Sequence, residues 1–210
     1  MANRSSLREK ANRAREYRCR NLIGVLEHPR DIRNIGTFVR NINALGVEKA
    51  YIVTDNPDFP AEWESMRNRN SLLGTSASAI KWTFVRVFPT TEACLQRLED
   101  RGFASIATSP HQKGKDNVLL HEGDYTRFRR LAVWFGSEGR GLSDLAIARS
   151  RFCVRIPMAG IVESLNLGTC SGIVLYEVAR QRREYQKRKA EARAAKAFAG
   201  LRVVLANGCV

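Results

Sequence analysis

Three stretches hold residues whose types and spacing could do chemistry. HPRDIRNIGTFVRN places an amide, Asn34, at the opening of a helical pattern, and a guanidinium, Arg40, six residues later and near the same face after almost two turns. FGSEGRGLSD sets Gly136, Gly139 and Gly141 around Glu138, between a strand pattern and a helix pattern capped by Ser143. A glycine loop between a strand and a helix can cradle a ligand with backbone N–H groups. IPMAGIVESLNLGTCSGIVLYE (156–177) is apolar enough to be buried, yet Glu163, Ser164 and Asn166 interrupt it, and Gly160, Gly168 and Gly172 give it backbone freedom. Each feature also has a bland reading. Asn34 could be an N-cap, Arg40 an exposed helix arginine, Glu138 a tie within its own loop, and Ser164 or Asn166 the cap of the next helix. Neither a GxGxxG fingerprint nor a P-loop lysine followed by Ser/Thr is present.

The elements that must position these residues alternate. NLIGVLE (21–27), KAYIVT (49–54), IKWTFVRVF (80–88), FASIAT (103–108), LAVWFG (131–136) and RFCVRI (151–156) are rich in Val, Ile and aromatics, which predicts strands. NIGTFVRNINALG (34–46) carries Ile35, Phe38, Val39, Ile42 and Leu45 at helical spacing and ends in Gly46. TEACLQRLEDRG (91–102) repeats the pattern, with Thr90 or Thr91 as cap and Gly102 as stop. From Leu165 a long helix is predicted, its distal half highly charged. The last ten residues, LRVVLANGCV, carry no pattern that places them. The βαβα order predicts an α/β fold with a largely parallel sheet flanked by helices, and such folds bind ligands at the carboxyl ends of their strands. All three polar stretches lie just past predicted strand ends.

The totals narrow the function classes. The 210 residues suit one globular domain with appendages. No stretch approaches the ~20 apolar residues of a membrane span, and MANRSSLREKANRAREYRCR lacks the apolar core of a secretory signal, so a cytoplasmic protein with no membrane is expected. Cys19, Cys94, Cys153, Cys170 and Cys209 are scattered and odd in number, which reads as reduced thiols. With His28, His111 and His121 they make no metal-ligand spacing, so no metal is expected. The net charge is +14, and its location matters. Residues 1–20 carry a balance of +5 and residues 180–202 one of +7, whereas 21–179 carry only +2. Basic flanks on a near-neutral body suit a polyanion, since each neutralised phosphate releases counterions. The predicted layout is a basic N-terminal extension (1–20), a body (21–180) and a basic C-terminal helical extension and tail (181–210).

The trio N-x5-R (34–40), FGSEGRGLSD and IPMAGIVESLNLGTCSGIVLYE resembles the three signature motifs of the SpoU/TrmH family, in family order and spacing, over roughly residues 20 to 180. These are S-adenosylmethionine-dependent RNA ribose 2′-O-methyltransferases of the SPOUT superfamily. The resemblance implies a deep trefoil knot in the C-terminal half, which the general rarity of knots would not have suggested. It implies that Arg40 acts on the 2′-hydroxyl, as general base or as a grip on phosphate and developing oxyanion. Asn34 would orient Arg40, Glu138 would hold its loop, and Ser164 and Asn166 would support the donor pocket. The donor, S-adenosyl-L-methionine, would rest on Thr108, Gly136, Ile156 and Leu165, with Met158 nearby, and Glu163 would face outward or pair with a base. A homodimer is implied. The short basic flanks resemble those of tRNA enzymes acting on the D-loop guanosine. An rRNA target is the alternative, and a non-catalytic RNA-binding protein on the same scaffold is the alternative of another class.

Overall fold

The computed structural model describes residues 17–56, 68–109 and 116–207, with side chains described to residue 195, besides the isolated positions 9, 12, 14 and 65. Among these residues seven strands form one sheet. They are β1 (Cys19–Glu27), β2 (Val47–Val53), β3 (Phe84–Phe88), β4 (Ala104–Thr108), β5 (Asn117–Leu119), β6 (Leu131–Phe135) and β7 (Cys153–Arg155). Their order is β3-β2-β1-β6-β4-β7-β5, and every pairing is parallel. The helices are α1 (Ile32–Ala44), α2 (Asn70–Thr75), α3 (Thr91–Asp100), α4 (Asp144–Ala148) and α5 (Leu167–Asn207).

The period of two along each strand divides the core. Leu22, Leu26, Ile52, Val133 and Phe135 face one side, where they pack with Ile35, Phe38 and Ile42 of α1 and with Val174, Leu175 and Val178 of α5. Ile23, Val25, Tyr51, Val53 and Trp134 face the other, against Cys94, Leu95 and Leu98 of α3 and Ala146 and Ile147 of α4. The central strand β6 is buried at all five positions, which is why LAVWF reads as a continuous apolar run.

The predicted parallel α/β sheet is found, and all six predicted strands exist. Gly46 (φ +67) and Gly102 (φ +68) follow α1 and α3 in the left-handed conformation that glycine tolerates. Thr90 caps α3 by accepting from the Ala93 N–H at 3.2 Å. Three local expectations need correction. α1 opens at Ile32, not Asn34: its cap is Asp31, whose carboxylate accepts from the Arg33 N–H at 2.8 Å. Residues 80–82, expected to begin a strand, lie in a 3₁₀ turn, Ala79–Trp82. There Ala77 and Ser78 turn the chain at positive φ, and the Thr83 hydroxyl then donates to the Ala79 carbonyl, so local bonds replace the ladder. β5 went unpredicted because it is three half-buried residues at the sheet edge.

α5 runs unbroken through residue 180, and its residues 186–195 are exposed. Arg182 pins it to β1 and to the segment that precedes β6. This guanidinium is 4% exposed and donates to the carbonyls of Asn21, Tyr125, Phe128 and Arg129. Residues 208–210 and His111 lie outside the described residues.

Candidate active site

The centre of the site is built on the carboxyl end of β6. After Phe135 the chain folds back on itself, with Ser137 bridging Gly141 and the Gly141 N–H donating to the Ser137 carbonyl at 2.9 Å. Gly136 has no room for a side chain: a Cβ would stand 2.1 Å from the Gly141 carbonyl carbon and 2.3 Å from the Leu142 nitrogen. Gly139 and Gly141 take φ of +86 and +69. The glycine spacing in FGSEGRG is therefore a requirement of close backbone approach and of left-handed turning. Ser143 then caps α4, its hydroxyl accepting from the Ala146 N–H at 3.1 Å.

A buried acid fixes this loop to its neighbours. Glu27, at the end of β1, is 1% exposed. Its carboxylate accepts from the Ser143 N–H at 2.8 Å, the Ser143 hydroxyl at 2.7 Å and the Thr91 hydroxyl at 2.5 Å. One side chain thus ties the starts of α3 and α4 to β1. At the end of β4, the Thr108 hydroxyl donates to the Trp134 carbonyl at 2.8 Å, locking that strand end to β6.

The second wall comes from the segment between β7 and α5. Asn166 caps α5: its side-chain oxygen accepts from the Gly168 N–H at 2.8 Å. Its side-chain nitrogen donates to Glu138 at 3.0 Å, joining this segment to the glycine loop. The bland reading of Asn166 as a cap and the functional reading are both satisfied by one residue. α1 packs against the start of α5 through Asn41, which donates to the Gly168 carbonyl at 2.7 Å and the Ser171 hydroxyl at 3.0 Å. A Cβ on Gly168 would sit 2.5 Å from a Thr37 methyl, so this glycine serves helix contact.

Between the two walls lies a cleft of about 280 Å³. Thr108, Gly136, Ile156, Met158 and Leu165 all line it, as do Glu138 and Ser164. Glu163 lines it too and is exposed, as expected. Asn34 and Arg40 do not line it. At about 100° per residue, six steps place them some 120° apart around α1, so they do not share a face. Asn34 is half-buried, while Arg40 is exposed and has no hydrogen bond or ion pair among the described residues. Its neighbour Asn41, not Arg40 itself, is the residue of α1 bonded to the first turn of α5.

Sequence reasoning missed several contributors. Leu142, Val154, Leu167 and Val174 supply the apolar lining, and Cys170 lies among them. Burial pushes the Cys170 thiol up to about 11, so it stays neutral and is no nucleophile near neutral pH. Arg30 reaches to 4.0 Å of the Cβ position of Gly139, and Arg140 lines the opening, which makes the rim cationic. Glu27 could have been found: an acid closing an apolar strand, with hydroxyls at the starts of two helices, Thr91 and Ser143. Among the described residues no group of His, Cys, Asp or Glu could hold a metal ion, and no helix is long and apolar enough to cross a membrane.

Apolar walls, backbone groups and a cationic rim suit a ligand with a flat apolar ring and polar attachments, acting beside an anion. A parallel α/β sheet with this cleft at its carboxyl edge is a ligand-binding α/β architecture. The profile of the SpoU rRNA Methylase family matches residues 21–176. A tRNA (guanosine(18)-2′-O)-methyltransferase of Thermus thermophilus is 32% identical over 158 residues, which are 75% of this chain and 74% of that protein. A 23S rRNA (guanosine-2′-O-)-methyltransferase of Coxiella burnetii is 31% identical over 162 residues, 77% of this chain and 59% of that protein. The crystal structure of the A. aeolicus TrmH/SpoU tRNA modifying enzyme superimposes with a TM-score of 0.68 at 28% identity, covering 86% of each chain. The chain belongs to the SpoU rRNA methylase family.

Proposed function

We propose that this chain is a cytoplasmic, S-adenosyl-L-methionine-dependent RNA methyltransferase that methylates a ribose 2′-hydroxyl of tRNA, the D-loop guanosine being the target. The observation that carries the reading is the cleft: two chain segments far apart in sequence meet there, and all five residues expected to hold the donor line it. The similarity to a tRNA (guanosine(18)-2′-O)-methyltransferase of matching extent, 75% of this chain and 74% of that protein, supports the tRNA reading. The donor supplies an electrophilic sulfonium methyl.

The chain's own residues do the rest. Backbone groups at Gly136, Ile156 and Leu165 orient the donor, and Leu142 and Val154 exclude water from its apolar ring. The Glu138–Asn166 bond holds the two walls in register. A guanidinium keeps its proton at any working pH. Arg40 therefore grips a substrate phosphate and stabilises charge developing on the 2′-oxygen, while the proton leaves to the substrate phosphate or water. Positioning two reactants in line supplies most of the acceleration. Threading of residues 156–166 through the 136–142 loop, a trefoil knot, would explain why Gly136 tolerates no Cβ and why the two segments are bonded together.

The working unit in this reading is a homodimer. Ile161 and Val162 on the loop and Ile173 and Tyr176, three apart on α5, are exposed apolar side chains. Burying such groups stabilises by roughly 1.5–3 kcal/mol each when complete, which suits a two-fold interface. Dimerisation there would give the exposed Arg40 a partner's cleft to face. The layout is a basic extension (1–20), the methyltransferase body (21–180) and a basic helical extension (181–210). Incubation with methyl-labelled donor and bulk tRNA or rRNA tests the reading: label enters tRNA. Label entering rRNA alone moves the substrate, and label in neither RNA, with no donor binding, overturns the proposal. An RNA-binding protein without chemistry would bind both RNAs and transfer nothing.

A further inference from the structure

A second cleft, of about 300 Å³, lies at the amino edge of the sheet. Its floor is a row in register across three strands: Ile23 of β1 beside Lys49 of β2, and Lys49 beside Phe84 of β3. One step further, Tyr51 stands beside Arg86. Ile23 and Tyr51 are buried in the core under α3, while Lys49 and Phe84 lie open beyond it. Its last turn and the strand ends beyond it supply the walls, Arg97, Arg101, Phe103 and Arg130.

The charge here is unbalanced. Glu48 is engaged already, accepting from the Asn21 N–H at 2.6 Å and pairing with Lys49 at 3.2 Å. Arg86, Arg97, Arg101 and Arg130 have no acidic partner among the described residues. The Arg97 Nε is buried without any hydrogen-bond partner there. Arg130 is held in place by donating to the Arg101 carbonyl and lies 5.9 Å from the Phe103 ring centroid. Four guanidiniums around one cleft repel each other unless an anion joins them. Helix-dipole compensation accounts for a cation or two at the end of α3, not for Arg86 and Arg130, which stand on the sheet.

The cleft also offers a stacking platform. Phe84 is 65% exposed on an edge strand, with Arg18 at 6.0 Å over its ring. Tyr17 and Trp82 are exposed beside it, the Trp82 carbonyl accepting from Arg18 at 2.8 Å. A sheet surface with an open ring among arginines holds unpaired bases by stacking and their backbone by charge. At this edge of the sheet β1 begins at Cys19 beside Gly46, and α5 reaches Asn21 through Arg182.

We infer that this amino-edge cleft is a second RNA-binding surface, which holds an unpaired stretch of the substrate with a base on Phe84 and phosphates on Arg86, Arg97, Arg101 and Arg130. It lies about 20 Å from the level of the active cleft, the length of β1 from Asn21 to Glu27. The inference rests on the RNA methyltransferase reading. It makes the substrate a body gripped at one sheet edge and modified at the other.

The test compares wild type, Arg86→Gln/Arg101→Gln and Phe84→Ala as full-length protein, by fluorescence anisotropy with a labelled unpaired RNA 12-mer and with tRNA across a salt series. Loss of two phosphate contacts is expected to flatten the slope of log Kd against log salt by about 1.4. Phe84→Ala is expected to weaken binding about 5- to 160-fold, the worth of one stacked base, with an unchanged slope. In both variants KM for tRNA rises while donor binding by calorimetry stays at the wild-type value. Unaltered Kd and slope in both variants, with wild type methylating normally, overturns the cleft proposal alone. A wild type that binds RNA and transfers no methyl overturns the enzyme reading instead. Displacement of the 12-mer by polyglutamate as effectively as by RNA marks an acidic-protein site and overturns it too. Should the double variant fail to fold, the solvent-exposed Phe84→Ala decides.

Discussion

The two edges of the sheet recognise by different means. At the carboxyl edge the cleft is lined by glycines, backbone and apolar side chains, and its parts are locked by Glu27 and the Glu138–Asn166 bond. At the amino edge the cleft is lined by long cationic side chains and the open ring of Phe84. The first arrangement tolerates no displacement, because a Cβ at Gly136 would fall on backbone. The second is additive and screened by salt, because each arginine contributes separately. Chemistry needs fixed atoms; holding a large polyanion needs charge and reach.

Substitutions break this comparison in a definite order. Arg40→Ala is expected to lower single-turnover methyl transfer by about 10²- to 10³-fold, the worth of one oxyanion donor, with tRNA Kd changed only modestly. Parallel collapse of tRNA binding would place Arg40 with the grip and not with the chemistry. Gly136→Ala forces the loop apart and is expected to raise the donor Kd at least tenfold, with about 1–3 kcal/mol lost in stability. Donor calorimetry and chemical denaturation check both effects, and an unaffected donor Kd would remove the glycine loop from the site.

Glu27→Ala sharpens the comparison from below. Three donors lose their acceptor inside the protein, so stability is expected to fall by about 3 kcal/mol. Near-wild-type melting would show that water replaces the carboxylate. Smallest is a pH effect at Cys170. Burial holds its thiol at about 11, above the ordinary value near 9. The neutral thiol is favoured fully below pH 9, and that contribution is lost as pH rises from 9 to 11. The wild type should therefore lose on the order of 2 kcal/mol more than Cys170→Ala over this window, by denaturation at each pH. Equal alkaline losses would mean the thiol is solvated.

What was legible in the sequence follows physical lines. Six strands showed through their β-branched and aromatic runs, and α1 and α3 through apolar spacing and the glycines that end them. β5 and α2 lack the signals that marked elements equally short: β7 sits in the apolar run RFCVRI and α4 follows the capping Ser143, whereas neither β5 nor α2 has such a flank. The residues of the active cleft were readable only through motif resemblance, because backbone recognition leaves no side-chain signature. The face shared by Asn34 and Arg40 was misjudged, since seven residues, not six, return a helix to the same side. The amino-edge cleft was invisible, because Lys49, Arg86, Arg101 and Arg130 lie in four separate segments that only the parallel register and the end of α3 bring together.

Mass spectrometry of nucleosides and fragments from tRNA incubated with the protein and methyl donor tests the central claim most directly. The expected result is one 2′-O-methylated guanosine at a D-loop position, formed far more slowly with Arg40→Ala. A methyl found on a base, or tRNA bound and left unmodified, would contradict it.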